Sequence, residues 1–208
     1  MKHNTLTHNT LTLPNPDSII RKRINKEMGL DAYQEILKLL DDPNLDVSTD
    51  EQFQKKFNNF FKVRRDVDWQ KNFYRVFQDL RKLKQSGQAI TKKHFGCVLK
   101  KISQNGKKEV SYASKMVAAL NPKLPIIDKK VRFFFKEYPN LLNVKSSNNF
   151  NKDCDYSKDC DYYNKLCICY EMNNFDSYIS TFDKLFPNYK DFEKIKKIDF
   201  IIWWSDSL

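Results

Sequence analysis

The strongest constraint on this chain is a stripe of large apolar residues between Trp69 and Leu83. Trp69, Phe73, Val76, Phe77, Leu80 and Leu83 recur at i, i+4, i+7, i+8, i+11 and i+14, which is one face of an α-helix. A half-buried strand would alternate apolar and polar residues, and no segment sustains that alternation. Gly87 stops the helix.

The same period recurs on either side. Asp17 or Ser18 can cap a helix carrying Ile19, Ile20 and Ile24. Ala32, Ile36, Leu39 and Leu40 mark the next one, and it ends at Pro43. Ser48-Thr49-Asp50 open a segment with Phe53, Phe57, Phe60 and Phe61 on one face. Thr91 is placed to cap a helix that turns Phe95, Val98, Leu99 and Ile102 inward. After the turn signal Gln104-Asn105-Gly106 comes a helix with Ala113, Met116, Val117 and Leu120 on its face, ended by Asn121-Pro122. The link PKLP is extended, because the residue before each proline is pushed out of the helical region. Asp128 then opens a helix that buries Val131, Phe134 and Phe135. Near the end of the chain, Ile179, Phe182, Leu185 and Phe186 form one face. Phe192, Ile195, Ile198, Ile202 and Trp203 form another.

The fold class that follows is all-α: a two-lobed, multi-helix globule of about nine helices with a helix-hairpin-helix-like pair at its centre. Only four glycines occur, which argues against a glycine-loop nucleotide fold and against a turn-rich all-β fold. A chain of 208 residues can bury a real core. Residues 1–16 contain HNTLT twice and are expected as a disordered leader, with a single all-α domain over 17–208. Residues 143–162 are polar and contain KDCDY twice, so a loop insertion is expected there.

The net charge of +11 favours a polyanionic partner, nucleic acid first and an anionic membrane second. No run of about 18 apolar residues exists, so no membrane span is expected. The polar first residues lack the apolar centre of a signal peptide, and a cytoplasmic location is expected. The five cysteines read as reduced thiols. Cys154, Cys160, Cys167 and Cys169 lack zinc-site spacing and have no histidine near them in sequence, so no metal or cofactor is expected. Tyr162, Tyr163, Trp203 and Trp204 could stack on bases. Of the two tryptophans, Trp203 fits a core face and Trp204 is the better exposed candidate. Asp199 falls on the polar side of the last helix.

Asp128 has two readings. A carboxylate at a helix start accepts the free N–H groups of the first turn, which is a structural role. The same position can also present a carboxylate to a bound substrate. Lys107, Lys108, Lys129, Lys130 and Arg132 lie to either side of it in sequence and suit phosphates.

The order over 101–132 is helix, tight turn with Gly106, helix, extended link, Asp128, helix, and it resembles the helix-hairpin-helix DNA glycosylase superfamily. The resemblance implies a hairpin at Gly106 that offers backbone N–H groups to a DNA phosphate, and a catalytic aspartate at Asp128. The chain resembles still more closely a group of uncharacterised bacterial proteins. There the matching residues are Tyr112-Ala113-Ser114-Lys115, Asn121-Pro122, Pro125-Ile126, Asp128 and Val131, then Lys196-Lys197-Ile198-Asp199-Phe200-Ile201 and Trp203. Residues 62–77 also look like that group.

The chain departs from the superfamily in two places. Ile102-Ser103-Gln104-Asn105-Gly106 stands where a family-like hairpin reads Leu-Pro-Gly-x-Gly. Glu109 and Val110 stand where strand-cutting members carry a lysine, and Lys115 is nearer to Asp128 than that lysine. The resemblance thus implies a monofunctional base-excision enzyme acting on double-stranded DNA, a hydrolase of repair, with Asp128 stabilising an oxocarbenium-like sugar beside a flipped base. The alternative is a non-catalytic helical module that binds DNA, or a protein partner, with a degenerate hairpin.

Overall fold

A computed structural model describes residues 27–104, 106–142, 156–172 and 175–204. Among them are nine α-helices, two short 3-10 turns and no strand, so the chain is all-α. The helices are α1 (Glu27–Asp41), α2 (Glu51–Phe61), α3 (Val67–Gln85), α4 (Lys93–Ile102), α5 (Val110–Leu120), α6 (Lys129–Glu137), α7 (Ser157–Met172), α8 (Asp176–Leu185) and α9 (Lys194–Trp204). Buried side chains from all nine belong to one continuous core. No described helix is long and apolar enough to cross a membrane. The expected leader, the Ile19–Ile24 helix and Cys154 lie outside the described residues.

Local chemistry sets the helix ends. Asp50, Asp66 and Asp128 each stand before a helix, and each carboxylate accepts the N–H three residues on, at 2.7, 2.9 and 2.9 Å. At the end of α3, Gly87 takes a φ of +88°. This lets its N–H reach the Lys84 carbonyl while Gln88 N–H reaches that of Leu83. The Thr91 cap comes out differently. Thr91 N–H donates to Nδ1 of His94 at 3.1 Å, and no side chain caps α4. The histidine, second residue of α4, reaches back to the turn that precedes the helix.

The apolar stripes face inward as their spacing predicts, with exceptions at helix ends. Trp69, Phe73, Val76, Phe77 and Leu80 of α3 are buried, whereas Leu83, one turn from the end, is exposed. On α8, Phe182 is buried and Leu185 is exposed. Helix α5 is enclosed: Val110 and every residue from Ala113 to Leu120 are buried. A helix that is apolar nearly all round belongs in the centre. Arg81 of α3 is buried and donates to the carbonyls of Leu40, Asp42 and Leu45, at the end of α1 and in the turn after it.

The loop expected over 143–162 extends too far. Residues 157–162 are the first turns of α7, and Cys160 is buried. The polar duplicated sequence hid a helix whose inward face is mostly Cys and Tyr, with Leu166 its one buried aliphatic residue. Residues 143–155 lie outside the described residues.

Helices α4 and α7 approach closely at Gly96, since a Cβ there would stand 2.9 Å from Cys160 Sγ. Intrinsic helix propensity would favour alanine over glycine by about 1 kcal/mol. Overpacking opposes this and costs about 1–3 kcal/mol. Gly96→Ala is expected to lower the melting temperature, and adding Cys160→Ala is expected to restore it. A Gly96→Ala variant more stable than wild type would contradict the close approach of α4 and α7.

Candidate nucleic-acid interface and catalytic carboxylate

The link from α5 to Asp128 is buried over Leu124–Ile127. Its backbone polar groups therefore need partners inside the protein. Three buried side chains supply them. Lys196 Nζ donates to the Leu124 carbonyl at 2.8 Å, and Tyr163 Oη donates to the Pro125 carbonyl at 3.2 Å. Ser114 Oγ accepts the Ile127 N–H at 2.9 Å and has the carbonyls of Ser111 and Ile127 at 2.9 and 3.3 Å as acceptors for its own proton. At the start of the link, Asn121 donates to the Ile90 carbonyl at 2.7 Å and accepts Lys123 N–H at 3.0 Å. The direction in which Asp128 leaves the link is thus set by α5, α7 and α9 together.

Lys196 is itself half of an ion pair. Its Nζ lies 2.7 Å from Asp199 Oδ2, and Tyr170 donates to Asp199 Oδ1 at 3.0 Å. All three are fully enclosed. Asp199, expected on the polar side of α9, is therefore fully buried. Burial pushes its carboxyl up and the Lys196 ammonium down, and each partner opposes the other's shift.

Asp128 is half-buried and caps α6 through the Val131 N–H. Its carboxylate also shares its surroundings with a second buried cation. Lys115 of α5 is 8% exposed. Its Nζ donates to the Phe61 carbonyl at 2.8 Å, the last of α2, and stands 5.4 Å from the Tyr112 ring. Burial lowers the Lys115 ammonium, and the Asp128 charge opposes that shift. Sequence spacing marks Lys115 only as too close to Asp128 for a strand-cutting amine. Its burial and its hydrogen bond to the Phe61 carbonyl are set in three dimensions.

The residues expected to meet phosphate divide into two kinds. Gly106, at φ +72°, turns the chain between Gln104 and Lys107, and Lys107 N–H closes the turn on the Gln104 carbonyl at 2.9 Å. Lys107, Lys129 and Arg132 are exposed. Lys108 is also exposed but lies 3.1 Å from Asp159 and 5.4 Å from the Tyr156 ring. The Arg132 guanidinium lies over Tyr162 at 5.8 Å. Asp159 and Tyr162 are three residues apart, about 4.5 Å along α7. Helix α7 therefore brings the Gly106 turn and the first turn of α6 against one element. Lys130 belongs to the fold instead, since its Nζ donates to the Trp203 carbonyl at the end of α9. Beside the turn, Glu109 is buried at the start of α5, 3.0 Å from Arg65 Nη2, and Arg65 lies 5.3 Å over Trp69.

Two stacking candidates are placed otherwise than expected. Tyr163 is enclosed and stacks on Phe95 at 4.1 Å. Trp204 packs against Phe186 and Phe200, each at 5.1 Å. Tyr162 and Trp203 are half-buried. Cys160, Cys167 and Cys169 are buried thiols. Burial pushes Cys167 up to about 12, which keeps it protonated. Among the described residues no cluster of His, Cys, Asp and Glu could hold a metal.

Compared with known proteins, the chain matches no family model, no curated protein and no solved structure.

Lys196→Met leaves the Asp199 carboxylate buried without its cation. Urea unfolding at pH 7 is expected to show a loss of about 3–5 kcal/mol. In this variant the folded state holds a proton on Asp199 that the unfolded chain releases above pH about 4. Stability then falls as pH rises through that window, so the deficit is smaller at pH 4 than at pH 7. An equal deficit at both pH values would contradict a buried charged pair.

Proposed function

We propose that this protein binds double-stranded DNA through the Gly106 turn and the exposed cations of α6, and excises a base with Asp128 as the catalytic carboxylate. The observation that carries the proposal is the half-buried Asp128 carboxylate at the end of a link that buried side chains clamp, in a region that also buries the Lys115 ammonium. A helix cap alone needs neither. A carboxylate held this way is positioned to stabilise positive charge developing on a sugar ring as its base departs, and to orient a water for attack. The net charge of +11 supports a polyanionic substrate. The sequence resemblance to helix-hairpin-helix glycosylases supports the same reaction class.

One observation favours a second reading, binding without chemistry. The hydrogen bond of Asp128 to Val131 N–H is the one that a structural cap makes. Asp128→Asn separates the two, because asparagine caps a helix about as well as aspartate. On a panel of duplexes with damaged or modified bases, wild type is expected to release a base. The folded Asp128→Asn variant is expected to be slower by about 10²–10³. Release by neither protein, with salt-dependent binding by both, would move the assignment to a non-catalytic DNA-binding module.

The cations give an independent check. Replacing Lys107, Lys129 or Arg132 by alanine is expected to reduce the slope of log K against log salt by about 0.9 for each phosphate no longer neutralised. Lys130→Ala is expected to leave that slope unchanged and to lower the melting temperature, since its ammonium serves the end of α9. Equal slopes for wild type and all three exposed-cation variants would remove the assigned interface.

A further inference from the structure

Helix α6 buries one side and leaves the other uncovered. Phe134 and Phe135 are buried and pack on the rings of Tyr138 and Tyr170, at 5.1 and 5.9 Å. Phe133, beside them in sequence, is 38% exposed. It is the one aromatic among the exposed large apolar residues described, the others being Val67, Leu83, Met172 and Leu185. Lys129, Arg132 and Lys136 are exposed as well. With Phe133 they stand at i, i+3, i+4 and i+7, so all four fall within about 100° of the helix circumference. Among the described residues none of these three cations has an ion-pair partner. Arg132 rests over the Tyr162 ring at 5.8 Å, and Glu137 is the one exposed acid of the helix. The face is thus an uncovered ring set among free cations.

We infer that the outer face of α6 binds single-stranded nucleic acid, with an unpaired base stacked on Phe133 and the adjoining phosphates on Lys129, Arg132 and Lys136. A paired duplex explains the cations but not the ring, because its base faces are stacked on one another and out of reach of a surface side chain. An unpaired strand offers both partners. Every base has a π-face that an exposed aromatic can cover, and a phosphate follows at each nucleotide. Stacking also removes from water apolar surface that the fold leaves exposed. An anionic bilayer would meet the cations too, but a single phenyl ring on a short helix buries little apolar area in it. The inference shares Lys129 and Arg132 with the proposed duplex interface and does not depend on Asp128 or on base excision.

The test measures binding of the full chain to four probes. These are an oligothymidylate, a strand of equal length and charge built from abasic tetrahydrofuran units, a fully paired duplex, and vesicles containing phosphatidylserine. Wild type is expected to prefer the thymidylate to the baseless strand by about five- to a hundredfold, the value of one stacked base. Phe133→Ala is expected to lose that preference while binding the baseless strand as wild type does, with the same salt dependence, since the side chain carries no charge. Phe133→Tyr, which keeps the ring, is expected to keep the preference. Asp128→Asn is expected to keep it too, so a failed base-excision reading would leave this result standing. Equal affinity of wild type for the two strands overturns the inference, as does a preference that survives in Phe133→Ala. A loss in Phe133→Ala as large for the paired duplex as for the thymidylate overturns the single-strand assignment. Phe133-dependent binding to the vesicles, with no preference between the strands, overturns it as well and gives the face to a membrane surface.

Discussion

The rest of the site depends on how the α5–α6 link is held. Its backbone is buried over Leu124–Ile127 without helix or sheet to satisfy it. Lys196, Tyr163 and Ser114 replace that missing secondary structure with side-chain hydrogen bonds. Each unsatisfied backbone group there would cost about 1–3 kcal/mol, so the three donors and acceptors act together or the link shifts. Lys196 can serve only because Asp199 balances its charge, and Asp199 only because Tyr170 fills its second oxygen. A connected polar network of this kind fixes one geometry, since half of it is worse than none. Asp128 inherits that geometry at the start of α6.

Much of the helical frame was legible in the sequence, because periodicity of large apolar residues is a local property. The faces of α2, α3 and α4 are read directly from Phe53–Phe61, Trp69–Leu80 and Phe95–Ile102. The end of α3 was legible from Gly87 and the start of α6 from Asp128. What the sequence did not show was which charged residues are buried. Asp199 reads as the polar side of the last helix, and nothing local marks Lys196 or Lys115 as internal, yet all three are buried. Their burial depends on partners 3 to 72 residues away, the Lys196–Asp199 and Lys196–Leu124 contacts respectively, and no local pattern encodes those. Helix α7 was missed for the complementary reason: its buried face is mostly Cys and Tyr, with Asn164 and the single aliphatic Leu166, and carries no run of large apolar residues at helical spacing.

The basic face is smaller than the charge count suggests. Lys115, Lys130 and Lys196 each satisfy a main-chain carbonyl, of Phe61, Trp203 and Leu124. These lysines act as internal donors rather than as phosphate contacts. The exposed cations nearest Asp128, Lys129 and Arg132, are joined by Lys107 and Lys108 at the Gly106 turn. Through Lys108 and Arg132, both groups converge on α7. Electrostatic attraction would orient a duplex on this side, and the clamped link would then decide what lies against the carboxylate.

The most direct measurement compares two duplexes that differ by one charge: one carries a cationic pyrrolidine at an abasic position, the other a neutral tetrahydrofuran. The pyrrolidine imitates the positive sugar of the transition state, which a catalytic carboxylate binds more tightly than any neutral ground state. Wild type is expected to prefer the cationic duplex by at least about tenfold, equivalent to about 1.4 kcal/mol, and Asp128→Asn is expected to lose that preference while binding the neutral duplex equally well. Equal affinity of the wild type for both duplexes would contradict the assignment of Asp128 and leave it as the cap of α6.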